Sequence, residues 1–392
     1  MALPSTRDPA EHRLWLLVAI LFVSYLCVAI ALPVVPVFVT GRLGLGNAWA
    51  GLGVGAAFFA TILTRAHAGK LTDRTGSKPA VQRGLVFYAA GAIASLAAGL
   101  VHPAPAAYAV LIIGRLLYGL GESLTAVGVI AWGIALVGPA RSGKVLALVG
   151  AALYGALAVG GPIGLILLDR FGFSAAMGVS AVLAGFGLLA IWPLAAIAPQ
   201  PGPERPPFLT VIGQIWAQGA IVCLQGMGFA AIGAFFALDF LHHHWPWAGL
   251  GLTAFGGGFV LVRIFFGHLP DRIGGLPVAI VSLAVEAVGQ VLIWTAPEPA
   301  YALAGAFFTG LGCSMIFPSM GREVVRIVQP HLRATALGGF AAFQDMAYGL
   351  TGPLAGLLAD RAGYGSVFLF GGLAATAGFG LALYLRRSQK AP

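Results

Sequence analysis

Twelve apolar stretches, each long enough to cross a bilayer at about 20 residues, alternate along this chain with short polar segments. They fall at roughly 14–38, 49–68, 80–101, 106–136, 143–168 and 173–197, then at roughly 210–240, 248–267, 277–296, 300–321, 334–359 and 365–385. Between the sixth and seventh runs the chain reads Ala-Pro-Gln-Pro-Gly-Pro-Glu-Arg-Pro-Pro. Proline cannot continue a helix, and a proline-rich segment acts as a stiff spacer. The pattern predicts an all-α integral membrane protein of twelve transmembrane helices. It divides into an N-terminal six-helix half (1–197), a short Pro-rich linker (198–209) and a C-terminal six-helix half (210–392). The first run follows a polar start and is too long for the apolar part of a cleaved signal peptide, so it reads as a retained span.

Composition removes the soluble alternative. The chain is 59% hydrophobic and 9% charged, whereas a soluble domain carries about 25% charged residues. There is too little polar surface to cover a water-soluble globule. The net charge of +9 forms no basic stripe interleaved with aromatics, which excludes nucleic acid as a partner. Its distribution has a topological meaning instead. With both termini on one side, that side holds Arg7, Arg13, Lys70, Arg74, Lys78, Arg83, Arg141, Lys144, Arg205, Arg272, Arg322, Arg326, Arg333, Arg386, Arg387 and Lys390. The opposite loops hold Arg42, Arg170 and Arg361. The positive-inside rule then predicts a multi-pass membrane protein with both termini cytoplasmic.

The two halves repeat each other. Arg65-Ala-His-Ala-Gly69-Lys-Leu-Thr-Asp73-Arg74-Thr-Gly76 aligns with Arg263-Ile-Phe-Phe-Gly267-His-Leu-Pro-Asp271-Arg272-Ile-Gly274 at an offset of 198. Gly119-Leu-Gly121 aligns with Gly310-Leu-Gly312, Gly161-Pro162 with Gly352-Pro353, and Asp169-Arg-Phe-Gly-Phe173 with Asp360-Arg-Ala-Gly-Tyr364, all at 191. Six spans per half return the chain to its starting side, so the repeats are parallel. Duplicated halves with a site between them are the architecture of secondary transporters.

These motifs resemble those of the major facilitator superfamily over essentially the whole chain. The Gly69-to-Lys78 loop is similar to that superfamily's signature between helices 2 and 3. Arg115-Leu-Leu-Tyr-Gly119-Leu-Gly121 resembles its second motif, which places an arginine in the membrane. Gly161-Pro162-Ile-Gly164 resembles part of the antiporter motif of helix 5. Arg65-Ala-His67-Ala-Gly69, Arg272-Ile-Gly-Gly-Leu276, Glu286 and Thr351-Gly-Pro-Leu-Ala-Gly356 are similar to the bacterial YhhS/YfcJ-like branch of exporters, near the opine-metallophore exporters. The resemblance implies alternating access. It also implies that the hinge residues Gly69, Asp73, Arg74, Gly76, Gly267, Asp271, Arg272 and Gly274 latch the halves on the inner side. The residues themselves give a reason. A carboxylate at a helix C-terminus opposes the dipole unless cations balance it. Lys70, Arg74 and Lys78 are at hand for Asp73, and Arg272 for Asp271.

An ionisable side chain inside a span costs about 2.5–3.5 kcal/mol on insertion scales, so each is a functional candidate. A carboxylate in a low-dielectric cavity is disfavoured in its charged form, so it can load and release a proton near neutral pH. The proton-coupling candidates, in order, are Glu122, Asp345 and Glu286. Span 9 is usually peripheral in this fold class, which allows Glu286 a packing or lipid-facing place instead. Arg115 lies seven residues from Glu122 on one helix face, as a charge partner for such an acid or as a binder of anionic substrate. Arg65 and Arg263 are equivalent in the two halves and read as structural, snorkelling or pairing with inner acids. Cavity candidates are Tyr25, Tyr118, Tyr154, Gln225, Gln344 and Tyr348, with Trp132. The breaks Gly161-Pro162 and Gly352-Pro353 are candidate bending points.

His242, His243 and His244 form a loop triplet unsuited to holding one metal, and His67 reads as packing. Cys27, Cys223 and Cys313 lie within spans without Cys-x-x-Cys spacing. No metal and no cofactor are expected. The chain shows no nucleophile elbow, paired metal ligands or phosphate loop, so an enzyme or a direct ATP drive is not expected. The expected function is proton-coupled export of a small polar or amphipathic metabolite or drug by a monomer, with protons, substrate and lipid as partners. The alternatives are an importer or uniporter of a sugar-like solute, an opine-metallophore exporter, and a non-transporting scaffold or sensor.

Overall fold

A computed structural model describes residues 9–138, 141–197, 208–329 and 332–389. The Pro-rich stretch 198–207 lies outside the described residues. Thirteen helices account for the described fold: α1 (Pro9–Val37), α2 (Asn47–Thr75), α3 (Ser77–Ala98), α4 (Ala104–Val137), α5 (Ser142–Phe171), α6 (Phe173–Ile191), α7 (Phe208–His242), α8 (Leu250–Phe266), α9 (Leu269–Ile273), α10 (Gly275–Trp294), α11 (Pro299–Ile327), α12 (Arg333–Ala362) and α13 (Gly365–Ser388). Ten are long and apolar enough to cross a membrane. The shorter α8 and the polar-centred α12 complete the expected six plus six, and α9 is a single extra turn.

The repeat reaches the backbone. Gly76 (φ 89°) and Gly274 (φ 95°) make the same left-handed turn after α2 and α9. Gly172 (φ 82°) and Gly363 (φ 78°) do so after α5 and α12. Glycine tolerates this region at no steric cost, so the duplicated glycines are turn residues. The copies differ in one respect. α2 runs unbroken through Asp73 to Thr75, whereas α8 stops at Phe266 and Asp271 sits in the separate turn α9. Pro270 has no N–H to donate, and it stands where the first copy has Thr72.

The halves meet along the face opposite the termini, here termed distal. α2 runs antiparallel to α12, and α5 to α8. Gly51 lies against the backbone of Gly352, and Gly55 against the Gly349 carbonyl. In the other seam Gly249 lies against Pro162, and Thr253 Oγ1 donates to the Ala158 carbonyl at 2.6 Å. The Gly-Pro pairs therefore lie in both seams between the halves. One apolar core is shared across the distal side. Toward the terminal face it splits into an N-terminal core around Leu14, Val145 and Trp132 and a separate C-terminal core around Val211, Ile316 and Phe340. The halves are joined by a shared core on the distal side and keep separate cores on the side of the termini, where the interface between them is termed the cleft.

Asp360 locks the distal seam. Its carboxylate accepts from the Asn47 backbone N–H and side-chain amide, both at 2.9 Å, and from the Ala48 N–H at 3.1 Å. Tyr364 Oη donates to Asn47 Oδ1 at 3.0 Å. A carboxylate at a helix N-terminus satisfies orphan N–H groups and complements the dipole. The repeat partner Asp169 faces Trp245 and Trp247 across an open crevice instead, because α8 begins five residues later than the repeat of α2 would. Asp360→Asn is expected to weaken the closed distal side by about 1 kcal/mol. That is about a fivefold shift of population. Labelling of a cysteine placed at residue 47 from the distal side measures it. Unchanged labelling would show the cap to be idle.

Candidate functional site

Halfway along the α2–α12 seam, Arg65 Nη2 makes an ion pair with Asp345 Oδ2, joining the two halves. Both residues are placed by helical spacing. On α2, Gly51, Gly55, Phe58 and Arg65 lie on one stripe facing α12, as expected for residues three, four and seven apart. On α12, Asp345 lies one turn below Tyr348 and Gly349. Glu122 approaches from α4 and is within electrostatic reach of Asp345, Arg65 and Arg115. Its Oε2 has no hydrogen-bond partner among the described residues. Tyr25 on α1 faces the same group. One guanidinium thus stands between two acids that belong to opposite halves.

A layer of aromatic contacts separates this cluster from the distal seal. Phe58 meets Tyr348 edge-on with centroids 5.2 Å apart, and Phe229 meets Tyr348 at 4.9 Å. Gln344 Nε2 donates to Tyr348 Oη at 2.7 Å. Across the α5–α8 seam Tyr154 stacks on Phe259 at 3.4 Å. Arg263, one turn below, holds its guanidinium 5.3 Å from the Phe259 ring. Apolar walls with a few convergent polar groups are the usual make-up of a small-molecule site.

Two bundles, a charged pair between them and a one-sided cleft match the pattern of a rocking carrier, and comparison with known proteins bears directly on that pattern. A family model described as Major Facilitator Superfamily matches residues 17–247 and 219–392. The chain belongs to that superfamily. It is 42% identical over 385 residues to an uncharacterized MFS-type transporter of Salmonella typhimurium, covering 98% of this chain and 99% of the relative. It is 39% identical over 395 residues to an uncharacterized MFS-type transporter of Pseudomonas aeruginosa, covering 99% and 98%. The crystal structure of the nucleoside transporter NupG, in a mutant form, superposes with a TM-score of 0.78 at 14% identity. That match covers 95% of this chain and 99% of that one, and it shows a shared fold. As a member of the superfamily the chain is a multi-pass membrane transporter and not an enzyme.

Within the superfamily fold the sequence candidates divide. Glu122, Asp345, Tyr25, Tyr154, Gln344 and Tyr348 gather at the cleft. Tyr118 does not: it is fully buried inside the N-terminal half, edge-on to Tyr88 at 5.6 Å. Trp132 packs in the N-terminal terminal-side core. Gln225 is buried in the C-terminal half. Arg115 is fully buried; its Nε donates to the Gly53 carbonyl at 3.1 Å and its Cζ lies 5.0 Å from the Tyr118 ring. It forms no ion pair among the described residues, and Arg65 takes the role of charge partner.

Glu286 takes the packing place and not the lipid-facing one. It is fully buried where α10 meets Gly228 of α7 and Gly312 of α11. Hydrophobic periodicity misses this, since span 9 is apolar on every side.

The hinge residues also find unexpected neighbours. Lys78 Nζ donates to the carbonyls of Trp192 and Leu194 at 2.8 and 2.7 Å, closing the end of α6. Asp271 faces Arg322 Nε at 3.8 Å rather than Arg272. Glu323 accepts from the Gly275 N–H at 3.2 Å and pairs with Arg326 at 2.8 Å.

Arg65, Arg263, Phe58, Phe229, Phe259 and Asp360 were absent from the candidate site and belong to the interface. The offsets carried the signal for the arginines, because the duplicated spans 2 and 8 each face a duplicated span of the other half.

Proposed function

We propose that this transporter is a proton-coupled exporter of the bacterial inner membrane, with termini in the cytoplasm and the cleft of this structure open to the cytoplasm. The observation that carries the reading is the guanidinium of Arg65, paired to Asp345 in the other half and faced by Glu122 in its own. A proton on Asp345 removes the cross-half pair and leaves Arg65 to Glu122. A proton on Glu122 returns Arg65 to Asp345. Proton occupancy thereby biases a two-state contact between the halves, which is what coupling requires. The inner hinge sequences around Asp73 and Asp271 complete the reading as the latch of the alternate state, in which the cytoplasmic side closes. An exporter loads cargo from the cytoplasm, and the divided core leaves its cleft on that side.

Proteoliposomes with a trapped pH dye test the reading. A panel of sugars, amino-acid conjugates, opines, organic acids and cationic drugs is applied to wild type and to Glu122→Gln. A compound that drives a dye change in wild type is expected to lose most of that signal in the variant. Cargo flux without dye change in wild type identifies a uniporter and ends the proton reading.

A further inference from the structure

We infer that the cargo carries an anionic group, and that Arg263 receives it. The inference rests on the transport reading above and adds the charge class of the substrate.

The two seams are copies of each other. The offset of 198 that relates α2 to α8 places Arg263 where Arg65 stands. The offset of 191 that relates α5 to α12 places Tyr154 where Asp345 stands. The contacts obey these offsets: Gly51 against Gly352 and Pro353 in one seam becomes Gly249 against Pro162 in the other. Arg65 accordingly meets a carboxylate, and Arg263 meets Tyr154, a neutral phenol. One seam closes its ion pair internally. The equivalent cation of the other seam has no acid beside it among the described residues.

Nothing nearby makes up the difference. Glu122 and Asp345 both lie against Arg65 in the other seam, and Tyr154 is the electrostatic neighbour of Arg263. Glu286 is enclosed between α7, α10 and α11, against Gly228 and Gly312. A lone half-buried guanidinium is costly to hold and attracts an anion.

The posture of Arg263 fits a binder. The guanidinium lies 5.3 Å from the Phe259 ring, which stacks on Tyr154, and Tyr154 is its electrostatic neighbour. A planar guanidinium favours a planar carboxylate, and Phe259 with Tyr154 offers an apolar, aromatic wall for the rest of the molecule. The class is a small organic acid, carboxylate-bearing and with an apolar or aromatic body.

The test uses three probes of one shape and different charge: benzoate, benzamide and benzylamine. Binding to the purified full-length protein is followed by calorimetry for wild type, Arg263→Gln, Arg263→Lys, Tyr154→Asp and Tyr154→Phe. Benzoate is expected to bind wild type more tightly than either control. Arg263→Gln is expected to weaken benzoate by about tenfold or more, the usual worth of a charge-assisted contact. Arg263→Lys retains part of the binding, which controls for folding. Tyr154→Asp supplies the missing internal partner and is expected to displace benzoate, while Tyr154→Phe keeps it. Equal binding of benzamide or benzylamine, an Arg263→Gln protein that binds benzoate like wild type, or a wild type that binds no benzoate overturns the inference. The coupling reading fails separately. Benzoate flux that needs Arg263 but moves no protons removes coupling and keeps the anion site. Proton movement driven by a cationic drug and indifferent to Arg263→Gln does the reverse.

Discussion

Exchanging the central charges, Arg65→Asp with Asp345→Arg, is expected to restore the cross-half ion pair and the amount of folded protein, but not transport. Asp345→Asn leaves Arg65 unpaired at a site that is mostly buried. Breaking a buried pair costs about 3–5 kcal/mol and an exposed one about 0–1 kcal/mol. Arg65 is 26% exposed and Asp345 9%, so an intermediate cost of about 2 kcal/mol is expected. That corresponds to roughly a thirtyfold weaker contact between the halves. The exchange recovers this energy because the pair is re-formed with its polarity reversed. It cannot recover the switch. Glu122 and the carboxylate at residue 65 then both belong to the N-terminal half and face one cation at residue 345, so a proton no longer moves a cation between acids of opposite halves. A purely structural ion pair predicts the opposite, with both stability and flux rescued. Thermal unfolding and flux measured side by side on wild type, Arg65→Asp, Asp345→Arg and the exchange separate the two.

A valine at Gly51 or Gly352 is expected to have the largest effect of any substitution on the distal seam. A Cβ on either residue would overlap the backbone of the other. This clash exists only while the distal side is closed, so it acts on one state of the cycle. Overpacking costs about 1–3 kcal/mol, a shift of roughly five- to 150-fold toward distally open molecules. Spin labels at residues 42 and 361, on opposite halves of the distal face, report the opening as a longer distance. Transport should fall with it, because closure is a required step. A short distance and normal flux in Gly352→Val would show that the contact yields cheaply.

The fold was legible for a simple reason. Crossing a bilayer demands about 20 apolar residues per span, and only the loops are free to carry charge. The repeats were legible because left-handed turns admit little besides glycine, which preserves Gly76, Gly274, Gly172 and Gly363 in register. The site was only partly legible. In a bundle helix that is apolar all round, periodicity does not say which face meets the cleft. Tyr118 and Trp132 therefore looked equivalent to Tyr154 and Tyr348, and Glu286 looked peripheral. The symmetry of Arg65 and Arg263 suggested a shared structural role. The difference between them lies in what faces them, Asp345 in one seam and Tyr154 in the other, and that required the pairing of α2 with α12 and α5 with α8. The interruption at Phe266 was written in Pro270, which marks a break only once its copy is seen to continue.

The central claim is that protons on Glu122 and Asp345 control how the halves meet. It can be tested before any cargo is known. The distance between spin labels at residues 42 and 361 is measured in wild type, Glu122→Gln and Asp345→Asn as pH is lowered from about 8 to about 5, the range over which a perturbed carboxylate takes up its proton. An acid's ion pair is present above its pKa and lost below it. The closed distal population of wild type is therefore expected to decline as pH falls, and Asp345→Asn is expected to show the low-pH population throughout. A wild-type distance distribution that does not change with pH would contradict the account.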